Sequence, residues 1–202
     1  MKKLLYLGMI MGFCFGTEAY LTKDVPILKN NKAIGTAKIL SKVEVLQDNG
    51  KELKVQLNGV ISDNYQEEIV KSPTQNESFA VFWNQNEKPT FKGDINPYIK
   101  LGNKIEDEYG EFWHQASITF FVNKSDITND PDSIYKEAKN LYEQTCSACH
   151  RLHDTTSFTT NQWPSNVESM IGAGYVDLAP RDKALILKYL QENSKDATKG
   201  QK

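Results

Sequence analysis

Only three cysteines and three histidines occur in the 202 residues. Cys14 sits in the first apolar run, and Cys146 and Cys149 share one short motif, so a framework of structural disulfides is excluded. Long hydrophobic runs are also missing. The longest, Leu4 to Phe15, is well short of the ~20 residues of a spanning helix. Basic blocks are absent and the formal net charge is −2, which argues against binding a phosphate backbone and so against nucleic acid as a partner. There is no Gly-rich phosphate loop, no Ser-His-Asp order and no paired acid–base arrangement for hydrolysis. What remains is ordinary globular material, 39% hydrophobic and 25% charged, long enough for two small domains or one larger one.

The N-terminus reads Met1-Lys2-Lys3, then the apolar run, then Thr17-Glu18-Ala19-Tyr20. Basic, apolar and small-residue segments in that order form an export signal, assigned here to residues 1–19, with the mature chain beginning near Tyr20. An uncleaved anchor is the alternative and would bring the only membrane contact; Phe13 before Cys14 is a poor lipoprotein site. Export implies an oxidising, periplasmic location.

Residues 20–128 read as mainly β. Ile39–Leu46, Leu53–Ile61, Ser78–Trp83 and Phe112–Val122 are β-branched or aromatic runs parted by turns. Asp48-Asn49-Gly50 supplies a positive-φ turn for a hairpin over Lys42–Leu57. Asn103–Val122 repeats that plan around Tyr109-Gly110-Glu111, a weak internal repeat of about sixty residues. The pattern Leu53-Lys54-Val55-Gln56-Leu57-Asn58-Gly59-Val60 resembles bacterial SH3-like modules, small barrels that bind partners or act as packing scaffolds.

Composition shifts at Thr128–Pro131. Residues 129–196 read as three helices: one from Asp130-Pro131 to Cys146, one with Trp163, Val167, Met170 and Ile171 on a single face, and one starting at Pro180 with Ile186, Leu187 and Leu190 inward. Residues 197–202 are assigned as a disordered tail, and fraying is expected from Ser194 onward. About seventy residues make a small core, which a haem would enlarge. The fold expected is α+β and multidomain: one or two SH3-like barrels followed by an all-α cytochrome c domain.

Cys146-Ser147-Ala148-Cys149-His150 has the spacing that attaches haem c, with thioether bonds from both cysteines and the next residue facing iron. A zinc site would need two further ligands at suitable spacing, and His153 follows too closely; a thioredoxin-type pair would need a βαβ setting. His150 is then the proximal ligand. The distal position is open to Met170, His114, His153 or no residue, with Met170 favoured because it follows a loop long enough to pass the haem edge. Met170 could equally be a core methionine. Trp163, Phe158, Tyr175 and Tyr189 are expected to pack the pocket, the Trp163 N–H being also able to reach a propionate. Arg181 is first part of a helix start and only second a propionate contact.

Tyr142 through His150, followed by Phe158-Thr159-Thr160-Asn161-Gln162-Trp163-Pro164 and Tyr189-Leu190, resembles the C-terminal monohaem domain of the cytochromes that feed periplasmic trimethylamine N-oxide and dimethyl sulfoxide reductases. The resemblance implies a single-electron carrier rather than an enzyme, with a periplasmic molybdenum reductase as acceptor. Those cytochromes usually carry an N-terminal anchor and a multihaem quinol-oxidising domain, whereas this chain has one Cys-x-x-Cys-His motif. A separate upstream donor, a cytochrome or quinol-oxidising protein, is therefore expected. The alternative function is a haem-based redox or ligand sensor or interaction module of such a system; a peroxidase would need a distal acid–base group, for which only His153 or His114 offers.

Overall fold

The computed structural model describes residues 16–84, 86–148 and 151–197. Ten strands make one antiparallel sheet: β1 (Thr17–Leu21), β2 (Val25–Lys29), β3 (Lys32–Ala37), β4 (Lys42–Asp48), β5 (Glu52–Ser62), β6 (Glu68–Ser72), β7 (Gln75–Val81), β8 (Lys100–Glu106), β9 (Phe112–Asn123) and β10 (Ile127–Thr128). Three α-helices follow among the described residues: α1 (Asp132–Cys146), α2 (Trp163–Gly172) and α3 (Pro180–Glu192).

The hairpin expected over Lys42–Leu57 is β4–β5, with Gly50 at φ 91° and its amide held by the Asp48 carboxylate at 2.8 Å. β5 is the hub. It pairs with β4 along its first half, reaches β6 at Val60, and runs its whole length against β9, from Glu52↔Asn123 to Ser62↔Trp113. Strict alternation on β9 sends Ala116, Ile118, Phe120 and Val122 inward, where they join Leu53, Val55 and Leu57 of β5 and Val25 and Ile27 of β2 in one core. Each large side chain fully withdrawn there contributes ~1.5–3 kcal/mol. Where β6 crosses β5, Gly59 allows the contact: a Cβ there would lie 2.5 Å from the Ile69 methyl and 2.6 Å from the Val70 carbonyl.

The expected multidomain α+β chain, with SH3-like barrels followed by an all-α cytochrome c domain, is corrected by this architecture. The chain is mostly β, and no all-α cytochrome domain is evident among the described residues. Two non-local contacts, which periodicity does not register, explain the difference. First, the strand expected from Ile39 begins only at Lys42, because Leu40 adopts φ 60° and turns. Buried Ile39 and Leu40 then pack between Ile134 and Ala138 of α1 and Leu185 of α3. Second, α3 meets β7 through a buried ion pair. Lys188 Nζ lies 2.9 Å from Glu77 Oε1 and donates to the Ser78 carbonyl at 2.7 Å, with both side chains at most 6% exposed. Lys71 of β6 adds bridges to Glu77 at 3.2 Å and to Glu192 at 2.8 Å. Burial works to raise the Glu77 carboxyl, but the two lysines override it and hold the group below its ordinary range. The helices are thus tied to the sheet through the β3–β4 connection and a buried ion pair.

At the N-terminus, β1 begins inside the segment assigned to the export signal. Thr17 to Tyr20 pair with β4, and Ala19 is fully buried. The rest of that signal, residues 1–15, lies outside the described residues. No helix among the described residues is long and apolar enough to cross a membrane.

Candidate functional site

The site is built where α1 ends. Asp130 accepts the first α1 amide at 3.1 Å, and Pro131 precedes the first helical residue, so the helix starts where its backbone donors have a partner. Ile134, Ala138 and Tyr142 form its buried stripe, which fixes the rotation of the last turn and turns half-buried Cys146 toward a cleft. Burial raises the Cys146 thiol above its ordinary range. Cys149 and His150 lie outside the described residues.

Across the cleft, Trp163 begins α2 with Pro164 at the second helical position, and Val167 and Met170 follow at intervals of four and three on the same face. Ile186 and Leu190 of α3 close the floor. Leu152 and His153 enter from the segment after the Cys-x-x-Cys-His motif, and Val176 and Leu178 from the α2–α3 connection. The cleft holds about 580 Å³ counting its open mouth.

Its walls are set by aromatic edges. Phe158 and Trp163 stand edge to face at 4.9 Å, Tyr142 meets Trp163 at 6.4 Å and Tyr189 at 6.1 Å, and His153 meets Phe158 at 5.3 Å. Tyr142 donates its hydroxyl to the His153 carbonyl at 2.8 Å, and burial pushes its phenol up to about 12. The Trp163 indole N–H donates to the Thr155 carbonyl at 3.0 Å, which fixes the wall. Arg181 is likewise engaged, making a bidentate pair with Glu137 at 2.7 and 3.1 Å that ties α3 to α1. Tyr175, expected in the pocket, is 68% exposed.

Cys146, Met170 and Trp163 are therefore brought to one cleft, with His153 beside them. His114 is not: on β9, its Nε2 lies 2.9 Å from Asp63. A thiol and a thioether face a lining that contains no Asp, Glu, Lys or Arg among the described residues. That donor set and that apolar slot fit a flat, largely apolar group such as haem. Sequence reasoning missed the polar side of the site. Ser194 and Asp196, expected in a fraying end, are tied to Thr160; a Ser-x-Asp pair just beyond a helix was the one available signal.

No protein-family model matches the chain, and no solved structure matches it. Among curated proteins, it is 28% identical over 177 residues to the cytochrome c-type protein TorC of Escherichia coli O157:H7, and to the same degree to TorC of Escherichia coli strain K12. Those matches cover 86% of this chain and 43% of each relative, so the chain spans less than half the length of either. The cytochrome c-type protein TorY of Haemophilus influenzae is 29% identical over 87 residues, 43% of this chain and 23% of the relative. A match of 177 residues must take in strands as well as helices, so the chain is similar to cytochrome c-type proteins well beyond its Cys-x-x-Cys-His motif.

Proposed function

We propose that this chain is a periplasmic c-type cytochrome carrying one haem, covalently held by Cys146 and Cys149 with His150 as proximal ligand, and that it passes single electrons to a terminal oxidoreductase. The observation that carries the reading is the placement of the Cys146 thiol, the Met170 thioether and the Trp163–Phe158 wall on one uncharged cleft at the end of α1. When bound, haem supplies a reversible one-electron couple whose potential follows its axial ligand, burial and hydrogen bonding. The protein's own part is to bind, orient and desolvate. Met170, 41% exposed at the cleft, is the distal ligand in this reading, and a thioether there closes iron to small ligands and favours transfer over activation. Trp163 contributes contact area with its N–H already satisfied.

The acceptor proposed is a periplasmic molybdenum-containing N-oxide or S-oxide reductase, supported by the resemblance of the Tyr142–His150 and Phe158–Pro164 strings and by the similarity to TorC and TorY. The donor proposed is an upstream cytochrome or quinol-oxidising protein.

The test is the optical spectrum of the exported holoprotein, oxidised and reduced, beside Met170→Ala and Met170→His. A weak red-edge band in the oxidised parent, lost in both variants, is expected of thioether ligation. A five-coordinate or carbon-monoxide-binding parent, unchanged by either substitution, would overturn Met170 as ligand and favour a ligand sensor.

A further inference from the structure

Beyond Glu192 the chain continues as Asn193-Ser194-Lys195-Asp196, and this segment is a clamp. Ser194 and Thr160 are each 1% exposed. One carboxylate oxygen of Asp196 accepts from the Thr160 amide at 2.7 Å, the Thr160 hydroxyl at 2.9 Å and the Ser194 hydroxyl at 2.8 Å. The Thr160 and Ser194 hydroxyls are themselves 2.8 Å apart. Gln191 of α3 donates to the Thr160 carbonyl at 3.2 Å, and the Lys195 amide donates to the Phe158 carbonyl at 2.9 Å.

The sheet joins from the other side. Asn161 accepts from the Asn76 amide at 2.7 Å and donates to the Thr74 carbonyl at 3.2 Å, while Gln75 donates to the Asp196 carbonyl at 2.9 Å. Phe158, Thr160 and Asn161 are thus pinned by groups from α3, the segment after it, the β6–β7 turn and the start of β7. At the two ends of this pinned stretch stand Phe158 and Trp163, the edge-to-face pair that walls the cleft. None of Thr160, Ser194 or Asp196 lines the cleft itself. Their hydrogen bonds act on the wall from behind.

We propose that Asp196, with Thr160 and Ser194, is a positioning device that holds the Phe158–Trp163 wall against the cofactor and keeps water from it. This rests on the haem reading above. The physical route is solvent access: water admitted behind a loosened wall stabilises the more highly charged ferric state, so the potential falls. The same geometry gives Thr160 and Asn161, two of the four polar residues between the aromatic ends of the Phe158–Trp163 string, their partners outside it.

The experiment compares the midpoint potential of the full holoprotein with that of Asp196→Ala, Thr160→Val and Asp196→Asn. A conservative core variant remote from the cleft, Ile118→Val, is the control. The clamp predicts a lower potential in Asp196→Ala, a smaller drop in Thr160→Val, recovery in Asp196→Asn, which keeps the accepting oxygen, and no change in Ile118→Val. A potential unmoved in Asp196→Ala, or lowered equally in Ile118→Val, would overturn it. If the parent carries no haem, the haem reading fails, and the clamp is judged on acrylamide quenching of Trp163 in the full chain bearing Trp83→Phe and Trp113→Phe. At least a twofold rise in the quenching constant with Asp196→Ala supports it; no rise overturns it.

Discussion

Replacing Lys188 with methionine removes the central cation between α3 and β7. The side chains of Lys188 and Glu77 are 6% and 3% exposed, so neither can recover its hydration by a small movement. Deleting one member of a buried pair costs about 3–5 kcal/mol, because the remaining charge is left without compensation. Here Lys71 still stands 3.2 Å from the second Glu77 oxygen, which places Lys188→Met near the lower end, about 3 kcal/mol. Glu77→Leu should cost more, since it strands Lys188, whose ammonium is already disfavoured by burial. The double variant Lys188→Met with Glu77→Leu should recover most of the loss, as apolar replacement of a buried pair is often neutral. Urea unfolding at neutral pH measures this, with stability read from midpoints at an unchanged slope. A loss below about 1 kcal/mol for Lys188→Met, or a double variant no better than its worse parent, would refute the claim that this pair docks α3 on the sheet.

Gly59→Ala should cost about 1–3 kcal/mol and lower the melting temperature by several degrees, because the new Cβ meets a backbone carbonyl that cannot step aside; calorimetry checks it. N-terminal sequencing of the exported protein should find a start at or before Thr17, since a chain beginning at Tyr20 would forfeit buried Ala19 and most of the β1–β4 ladder. Stability should fall on acidification below about pH 4, where Asp126 and Asp196 take up protons. Burial pulls both groups upward, but hydrogen bonds, with Lys23 in the case of Asp126, hold their folded pKa values below the unfolded ones. Their contribution is therefore present above that range and lost as the pH falls through it. Glu68, raised by burial, works in the opposite sense at higher pH, so the test is made in a Glu68→Gln background, where midpoints that hold or rise as the pH falls from about 4 to 3 would contradict the assignment. Electron transfer to the acceptor should depend little on salt, given a net charge of −2; a steep fall of turnover with ionic strength would argue against it.

Local signals were legible where a residue type forces a local conformation. Asp48-Asn49-Gly50 marked the β4–β5 hairpin, Asp130-Pro131 marked the start of α1, and the periodic stripe of Trp163 and Val167 marked α2. The arrangement of the helices on the sheet was hidden, because Lys188 and Glu77 look like solvent residues until they meet across more than a hundred positions. Leu40 is a second case: an aliphatic residue in an apolar run suggests a continuing strand, while its φ of 60° is imposed by packing against α1 and α3. In the site, motif and period pointed to Cys146, Met170 and Trp163, and these three side chains line one cleft. The Ser194–Asp196 clamp was lost because a polar helix end reads as fraying unless its distant partner, Thr160, is known.

The measurement that bears most directly on the central claim is the intact mass of the chain exported in a host with cytochrome c maturation machinery, beside Cys146→Ser and Cys149→Ser together. The account predicts an increment of one covalently bound haem in the parent and none in the double variant. A parent without that increment, or a double variant that retains it, would contradict it.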